Sequence, residues 1–411
     1  MKITVDLHSH SGYAGGVGDI SFEKIYKTMD KKGIDIFGTG DCLHPEQFKK
    51  IKDKLKENRE GIYFLSGNEK GFILQTEVIL TTKLQDYPKK IVAHHIILFP
   101  DIPSLEKMQK LLKKWNMKNT IGRPYITTNN QQQLESRLFE IKDIDPLVEI
   151  IPAHIMTPDG ILGSKNNLSS MQDFYGRFLT CINAIETGLS ADPAMLTPIP
   201  DLADLTMISN SDCHSAALNR VGREFTILET SGFTYKSIIN SIRKNQIIMT
   251  AEFHPTEGRY YLTGHRKNRK NHNNKSVVLE NYPENLVCPI CKKKMLLGVK
   301  HRCEQLYNNG IEERKQNFIH VVPLVEVIAN AVGIKSVKSK KVLSLFDKIV
   351  GVYGSEIAMW QDNADSIESE LSPFLPEGLI KTIIAIKADD FRFEPAGFDG
   401  VYGNLTIKSR S

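Results

Sequence analysis

The chain has 411 residues, of which 41% are hydrophobic and 25% charged, with a formal net charge of +5. Those values suit a soluble globular protein with one large domain and one or two small ones, and the charge is too modest to name a partner by itself. No apolar run approaches the ~18 residues that span a bilayer. Met1 to Asp6 runs straight into a strand pattern with no cleavable signal, so a cytoplasmic location is expected.

In chain order, seven short apolar runs each end in a metal-ligating residue type: ITVDLHSH, IDIFGTGD, FILQTEVIL, IVAHHIILF, VEIIPAHI, INAIETG and LTMISNSDCH. Helical stretches lie between several of them, at 22–32, 45–56 and 104–118. That alternation predicts parallel strands with crossover helices. Seven units in ~250 residues fit a closed (β/α) barrel better than an open sheet, and active sites of such barrels collect at the C-terminal strand ends. The polar insert at 119–138 reads as a surface loop or lid. Beyond Thr250 come a basic segment and a Cys-Pro-Ile-Cys knuckle, and then a mainly helical remainder. In that remainder, 321–332 and 340–352 carry apolar residues at helical spacing. The tail FEPAGFDGVYGNLTIK is turn-rich and closes on a short strand pattern.

The strand ends carry the chemistry. His8 and His10 are two apart, so in an extended chain they face one side and can hold one ion together. Asp41 and His44, Glu77, His94 and His95, His154, Glu186, and Asp212 with His214 close the later runs. Several histidines and carboxylates at separate strand ends need compensating partners if buried. Imidazole and carboxylate together suit Zn, Mn or Fe. So many ligands imply more than one ion, and paired ions favour phosphoryl transfer. Of the six cysteines, Cys42, Cys181 and Cys213 are read as small core residues. Cys288, Cys291 and Cys303 cluster near the knuckle, and all six are expected reduced.

Together HSH, GDxxH, the TE strand, HIIL, PAH and SDCH resemble the PHP (polymerase and histidinol phosphatase) superfamily. PAHIMTPDGILGSK, AIETGLSADPAM, SNSDCHS, VCPICKK, GVKHR and GFDGVYG narrow the resemblance to endonuclease Q over nearly the whole chain. The resemblance implies a distorted (β/α)7-type PHP barrel over 1–252, a basic zinc-knuckle module over 253–310 and a mainly helical C-terminal domain over 311–411. It also implies a DNA repair endonuclease. By metal-activated hydroxide, it would cleave 5′ to deaminated bases (hypoxanthine, uracil, xanthine) or abasic sites. Carried over by position, His8, His10, Glu77 and Asp212 resemble the ligands of one ion, and Asp41 and His214 those of a second. Glu77 bridges to a third ion held with His95 and His154; His95 is preferred to His94 because His95-Ile96-Ile97 matches the family order. Asp212, Asp41 and His214 are the catalytic candidates. Two or three divalent ions are expected, zinc first, with Mn2+ or Mg2+ in part. Where many PHP proteins place a third histidine after HxH, this chain reads SGYAGG, which weakens the second site.

In the knuckle, Cys288 and Cys291 can take adjacent corners of a structural zinc site. His265 and His272 are the upstream candidates to complete it, while His301 and Cys303 offer a downstream closure. Between 259 and 275 the chain carries Arg266, Lys267, Arg269 and Lys270 with no acid, which reads as phosphate contact. Lys165 and Arg223 are further phosphate-clamp candidates. The expected partner is damaged double- or single-stranded DNA, with no membrane. A sliding clamp stands as a further partner to test, although the terminus TIKSRS holds no convincing clamp-binding peptide. Two other readings stay open: a phosphatase acting on a small phosphate ester, and a catalytically silent DNA-binding relative.

Overall fold

The computed structural model describes residues 1–18, 20–118, 122–308 and 316–407. All seven predicted runs contain strands: β1 (Lys2–Asp6), β2 (Ile36–Gly38), β5 (Gly71–Thr82), β6 (Ile91–Phe99), β8 (Glu149–Pro152), β9 (Ala184–Glu186) and β10 (Thr206–Ile208). Between and beyond them lie β3 (Leu55–Arg59), β4 (Ile62–Leu65), β7 (Tyr125–Thr127), β11 (Phe225–Glu229) and β12 (Ile247–Glu252). The chain closes with β13 (Thr263–His265), β14 (Val277–Leu279), β15 (Phe318–His320), β16 (Phe391–Phe393) and β17 (Leu405–Ile407).

Among the described residues, eleven strands form one mixed sheet in the order β15-β12-β11-β1-β2-β5-β4-β3, with β6 and β7 paired to β5 and β8 paired to β6. Only part of it is parallel as expected. β1–β2 and β2–β5 are parallel, whereas β5–β6, β6–β8, β1–β11 and β11–β12 are antiparallel. For β5 and β6 the reason is connection length. Residues 83–90 are too few for a crossover, which needs a dozen or more, so β5 and β6 pair as a long hairpin. β9 and β10 form a separate parallel pair.

One face of these strands shares an apolar cluster. Val5, Ile36, Ile73, Ile96, Ile151, Ala184, Ile208 and Leu228 meet there, together with Ile238 and Ile242 of the helix Tyr235–Arg243. Eight strands therefore contribute to one apolar cluster. The opposite faces pack against helices such as Phe22–Lys32, which Ser21 caps through the Lys24 amide.

The 119–138 insert departs from the loop reading. Residues 119–121 lie outside the described residues, but Tyr125–Thr127 is a strand and Gln131–Lys142 a helix. The Asn130 side chain accepts from the Gln133 amide at 2.9 Å, and Leu134, Leu138 and Ile141 bury one stripe. A run of glutamines hid that stripe in the sequence.

The C-terminal part is mainly helical, including Leu324–Ala331 and Lys340–Tyr353 close to the predicted spans. Several contacts tie it to the first 252 residues. β15 extends the sheet beside β12, and the buried Lys32 ammonium lies 2.7 Å from Glu356. The Glu356 oxygen also accepts from the Leu324 amide at 3.0 Å. The expected boundary at 310/311 lies outside the described residues. Removing one partner of a buried ion pair leaves an uncompensated charge. Glu356→Ala should therefore cost about 3–5 kcal/mol in urea unfolding, and the double change Lys32→Met, Glu356→Leu should recover part of that loss.

Candidate metal centre

Just past β1, the rings of His8 and His10 point to one spot. His8 Nδ1 donates to Glu186, with its oxygens at 3.0 and 3.1 Å, and His10 Nδ1 donates to Asp41 at 3.2 Å. Each rear carboxylate fixes the tautomer that turns the Nε2 lone pair forward. Those forward atoms face acids from other strands. His8 Nε2 is 3.9 Å from Glu77 and 3.7 Å from Asp212; His10 Nε2 is 3.5 Å from Glu77 and 3.1 Å from Asp212.

Glu77 is the junction. One oxygen lies 2.7 Å from His94 Nδ1 and 3.3 Å from His154 Nε2, and the other lies 3.3 Å from Arg123. Three overlapping groups thus have ligand atoms within reach of a single ion: His8, His10 and Glu77; His10, Asp212 and His214; and Glu77, His94 and His154. Burial alone would raise the Glu77 carboxyl, but His94, His154 and His10 pull it well below the usual range. Burial opposes charge on His154 too, yet Glu77 and its neighbours raise it to about 9. The carboxylates hold positive charge at this spot, as a divalent ion would supply it.

The donor set fits a metal. His8 Nε2, His10 Nε2 and Asp212 Oδ1 are buried atoms with no hydrogen-bond partner. An unsatisfied buried polar atom costs about 1–3 kcal/mol, and three of them face one another. Ligands at ~2.1 Å from a tetrahedral ion sit ~3.4 Å apart, close to the separations found here.

Backbone strain accompanies the site. Asp41 (φ 47), His154 (φ 31) and Asp212 (φ 45) all take left-handed conformations. For non-glycine residues these are uncommon, and they concentrate where the surroundings dictate them. Asp6 helps to do so for the Asp212 loop, accepting at 2.9 Å from both the Ser211 and Gly222 amides.

Two expected assignments are corrected. His95, preferred on sequence order, faces away: its ring is buried between Phe174 and Tyr175, bonded to the Tyr175 hydroxyl and the Ala93 carbonyl. Burial drives its pKa down to about 3, so it is a neutral core residue. Register explains the exchange, since Ile79 pairs with His94 while Val78 pairs with His95, and opposed residues share a face. Asp41 is also displaced from its expected place. Its carboxylate accepts from the Ser11 amide at 2.6 Å and hydroxyl at 2.5 Å and from His10, so it stands behind a ligand instead of among the converging atoms. His44 caps the helix Pro45–Lys54 and stacks on Tyr13. Cys42 and Cys213 are buried, while Cys181 is half-buried.

The cluster opens into a cavity of about 320 Å³ whose walls include Arg123, Arg223, Arg259, Tyr260 and Tyr402. Arg223 donates to the Ser211 carbonyl at 2.7 Å and the Asp212 carbonyl at 3.3 Å, so it also braces that loop. Lys165 pairs with Asp159 at 2.8 Å. Arg123 and Tyr402 went unnoticed as site residues, because neither stands near a ligand in sequence. Tyr402 arrives with the tail, whose Gly397 and Gly403 amides donate to Thr256 and Glu257.

In the knuckle region, His265, His272, Cys288 and Cys291 come together with ligand atoms within 4.8 Å of one another. Cys288 Sγ is 3.5 Å from His272 and Cys291 Sγ is 3.4 Å from His265. Burial opposes a Cys288 thiolate, but the Cys291 and Ile290 amides lower its pKa. The downstream alternative is spent elsewhere: His301 bonds Thr263 at 2.8 Å, and Cys303 is a buried thiol. Arg266, Lys267 and Lys270 are exposed, whereas Arg269 grips Asp399.

Two alanine substitutions should separate the neighbouring histidines. His94→Ala should lower the bound divalent metal measured by mass spectrometry with little change in melting temperature. His95→Ala should keep the metal but lose stability, about 1–3 kcal/mol from the stranded Tyr175 hydroxyl.

No family model matches the chain. An uncharacterized protein of Methanocaldococcus jannaschii is 33% identical over 54% of this chain, but the match spans only 28% of that protein's length. The uncharacterized protein YqxK of Bacillus subtilis is 26% identical, covering 98% of this chain and 99% of its own. Among solved structures, the lesion-specific endonuclease PfuEndoQ of Pyrococcus furiosus covers 100% of this chain and 96% of its own, with TM-score 0.81 and 27% identity. An Endonuclease Q complex with a 27-mer duplex substrate, carrying an abasic lesion at the active site, covers 100% and 97% with TM-score 0.83 and 27% identity. In fold and sequence, the full-length likeness of this chain is to endonuclease Q structures.

Proposed function

We infer that this protein is a DNA repair endonuclease that hydrolyses the phosphodiester 5′ to a deaminated base or an abasic site. The single observation that carries this is the convergence of His8, His10, Glu77, His94, His154, Asp212 and His214 at the floor of a cavity walled by arginines and tyrosines. The full-length likeness to a nuclease bound to abasic duplex supports the choice of DNA over a small ester. A catalytically silent relative would have little reason to keep three buried ligand atoms unpartnered. Neither structural relative supports a sliding-clamp partner, and residues 408–411 of TIKSRS lie outside the described residues.

The finer architecture we propose is a distorted barrel over 1–252, a zinc-stabilised basic module over 253–310 and a helical domain beyond. Residues of eight strands meeting in one apolar cluster support the barrel, and the His265, His272, Cys288 and Cys291 group supports the zinc. For the barrel we propose His8, His10, Glu77 and Asp212 as ligands of one ion, His94 and His154 with Glu77 for another, and His214 as a more exposed ligand beside Asp212. When bound, divalent ions would supply Lewis-acid stabilisation of the attacking and leaving oxygens.

The protein's own groups do the rest. Glu186 and Asp41 orient His8 and His10. Arg223 and Arg123, on the cavity wall, suit the non-bridging oxygens of the target phosphate. A lesion weakens pairing and lowers the cost of flipping a nucleotide, and the cavity could admit it beside Tyr260 and Tyr402. The exposed Arg266, Lys267 and Lys270 would touch flanking phosphates, while Lys165, paired with Asp159, is the weaker candidate.

The deciding assay uses labelled duplexes carrying one hypoxanthine, uracil or abasic site, beside undamaged DNA. A single chelator-sensitive nick 5′ to the lesion is expected. Cleavage of p-nitrophenyl phosphate with intact DNA would transfer the assignment to a small-ester phosphatase. Asp212→Asn should lower turnover by more than about 100-fold, beyond the usual effect of partners behind the ligands. Lys267→Ala with Lys270→Ala should flatten the salt dependence of DNA binding, by about 0.9 in log–log slope for each phosphate no longer neutralised.

A further inference from the structure

Away from the cavity, four distant parts of the chain bring their side chains together. Asp192 precedes the short helix Pro193–Leu196, His254 follows β12, His320 ends β15 and Asp389 follows the helix Glu377–Lys387. His254, His320 and Asp389 each offer a ligand atom within 4.8 Å of the others. The two imidazole rings lie 4.7 Å apart between centroids. This group shares no residue with the barrel cluster or the knuckle, and neither of those readings uses it.

We propose that His254, His320 and Asp389 form a further divalent-metal site, suited to zinc, that staples the C-terminal segment to the edge of the central sheet.

The geometry around His320 is that of a prepared ligand. Its Nε2 donates to Asp192 Oδ2 at 3.1 Å, and the other Asp192 oxygen is held at 2.9 Å by the Met195 amide. A carboxylate anchored behind an imidazole fixes the tautomer and leaves the opposite nitrogen for a metal. That nitrogen, Nδ1, lies 3.1 Å from Asp389 Oδ1. Two ligand atoms on one ion with ~2.1 Å bonds stand ~3.4 Å apart at tetrahedral corners, so a small opening of this pair admits the ion. Two imidazoles and one carboxylate suit zinc, and a coordination position remains for water. Asp389 is 57% exposed, which gives the ion a route in, while His254 packs its ring against Phe391 at 5.5 Å. The site joins β12 and β15, which pair at Glu252 and His320, to the turn that leads into β16. An ion there would hold residue 389 where the tail begins its return toward the cavity.

Two conservative variants test it. Asp389 has φ 55, a conformation asparagine adopts as readily, so Asp389→Asn removes the charge and keeps the backbone. His254 caps the turn Pro255–Glu257, and His254→Asn keeps a capping group too short to reach an ion. Full-length wild type and both variants are equilibrated at the same free zinc, checked for folding by circular dichroism and analysed for metal by mass spectrometry. Each folded variant should lose one zinc equivalent per chain relative to wild type. Wild-type zinc content in both folded variants would overturn the proposal. Should a variant fail to fold, a zinc-edge anomalous map of wild-type crystals grown with zinc decides. A peak between His254, His320 and Asp389 upholds the site, and no peak there rejects it. Neither arm depends on nuclease activity.

Discussion

A buried carboxylate needs positive charge within a few ångströms, and Glu77 imposes that demand on the centre of this protein. It is 1% exposed, on a strand that is buried along its whole length and carries no basic residue, so the charge must come from neighbouring elements. His8 and His10 come from just past the first strand, His94 from the hairpin partner, His154 from just past β8 and Arg123 from the connection into β7. The mixed order of the sheet follows the same geometry. A hairpin between β5 and β6 sets His94 two residues away from Glu77 on the same face, closer than a crossover would guarantee.

Behind these histidines and acids stands a ring of supporting groups. Glu186 links His8, the His154 amide at 2.8 Å and Asn210 at 2.9 Å, so one carboxylate orients parts of three strand ends. Asp41 does the same for His10 and Ser11, and Asp6 for the loop that presents Asp212. These bonds hold three left-handed residues, each conformation costing about 1–3 kcal/mol. Such strain persists only where many bonds fix the loop.

The basic module and the tail complete the site from outside the central strands. Arg259 lies between the rings of Tyr260 and Tyr402, 5.2 and 5.9 Å from their centroids, and all three line the cavity. Tyr402 is far along the chain from every ligand and reaches the cavity because the tail binds back on Thr256, Glu257 and Arg269. Fold and site are thus interdependent: the C-terminal segment serves the cavity it helps to enclose.

Much of this was legible in the residues themselves. Apolar runs ending in His, Asp or Glu marked seven strands, since a buried strand must be apolar and its polar ending must be satisfied. Cys288 and Cys291 marked the knuckle, because a C-x2-C spacing has few other uses. What the sequence by itself determined was therefore which residue types are available for metal and phosphate. Tertiary structure decided which of two adjacent histidines meets Glu77. His94 and His95 differ by one step along a strand, and only the pairing of β6 with β5 says which face looks inward. The same holds for Asp41, whose role behind His10 depends on a loop conformation that no residue spacing encodes, and for His254, His320 and Asp389, which meet only once four distant segments have packed.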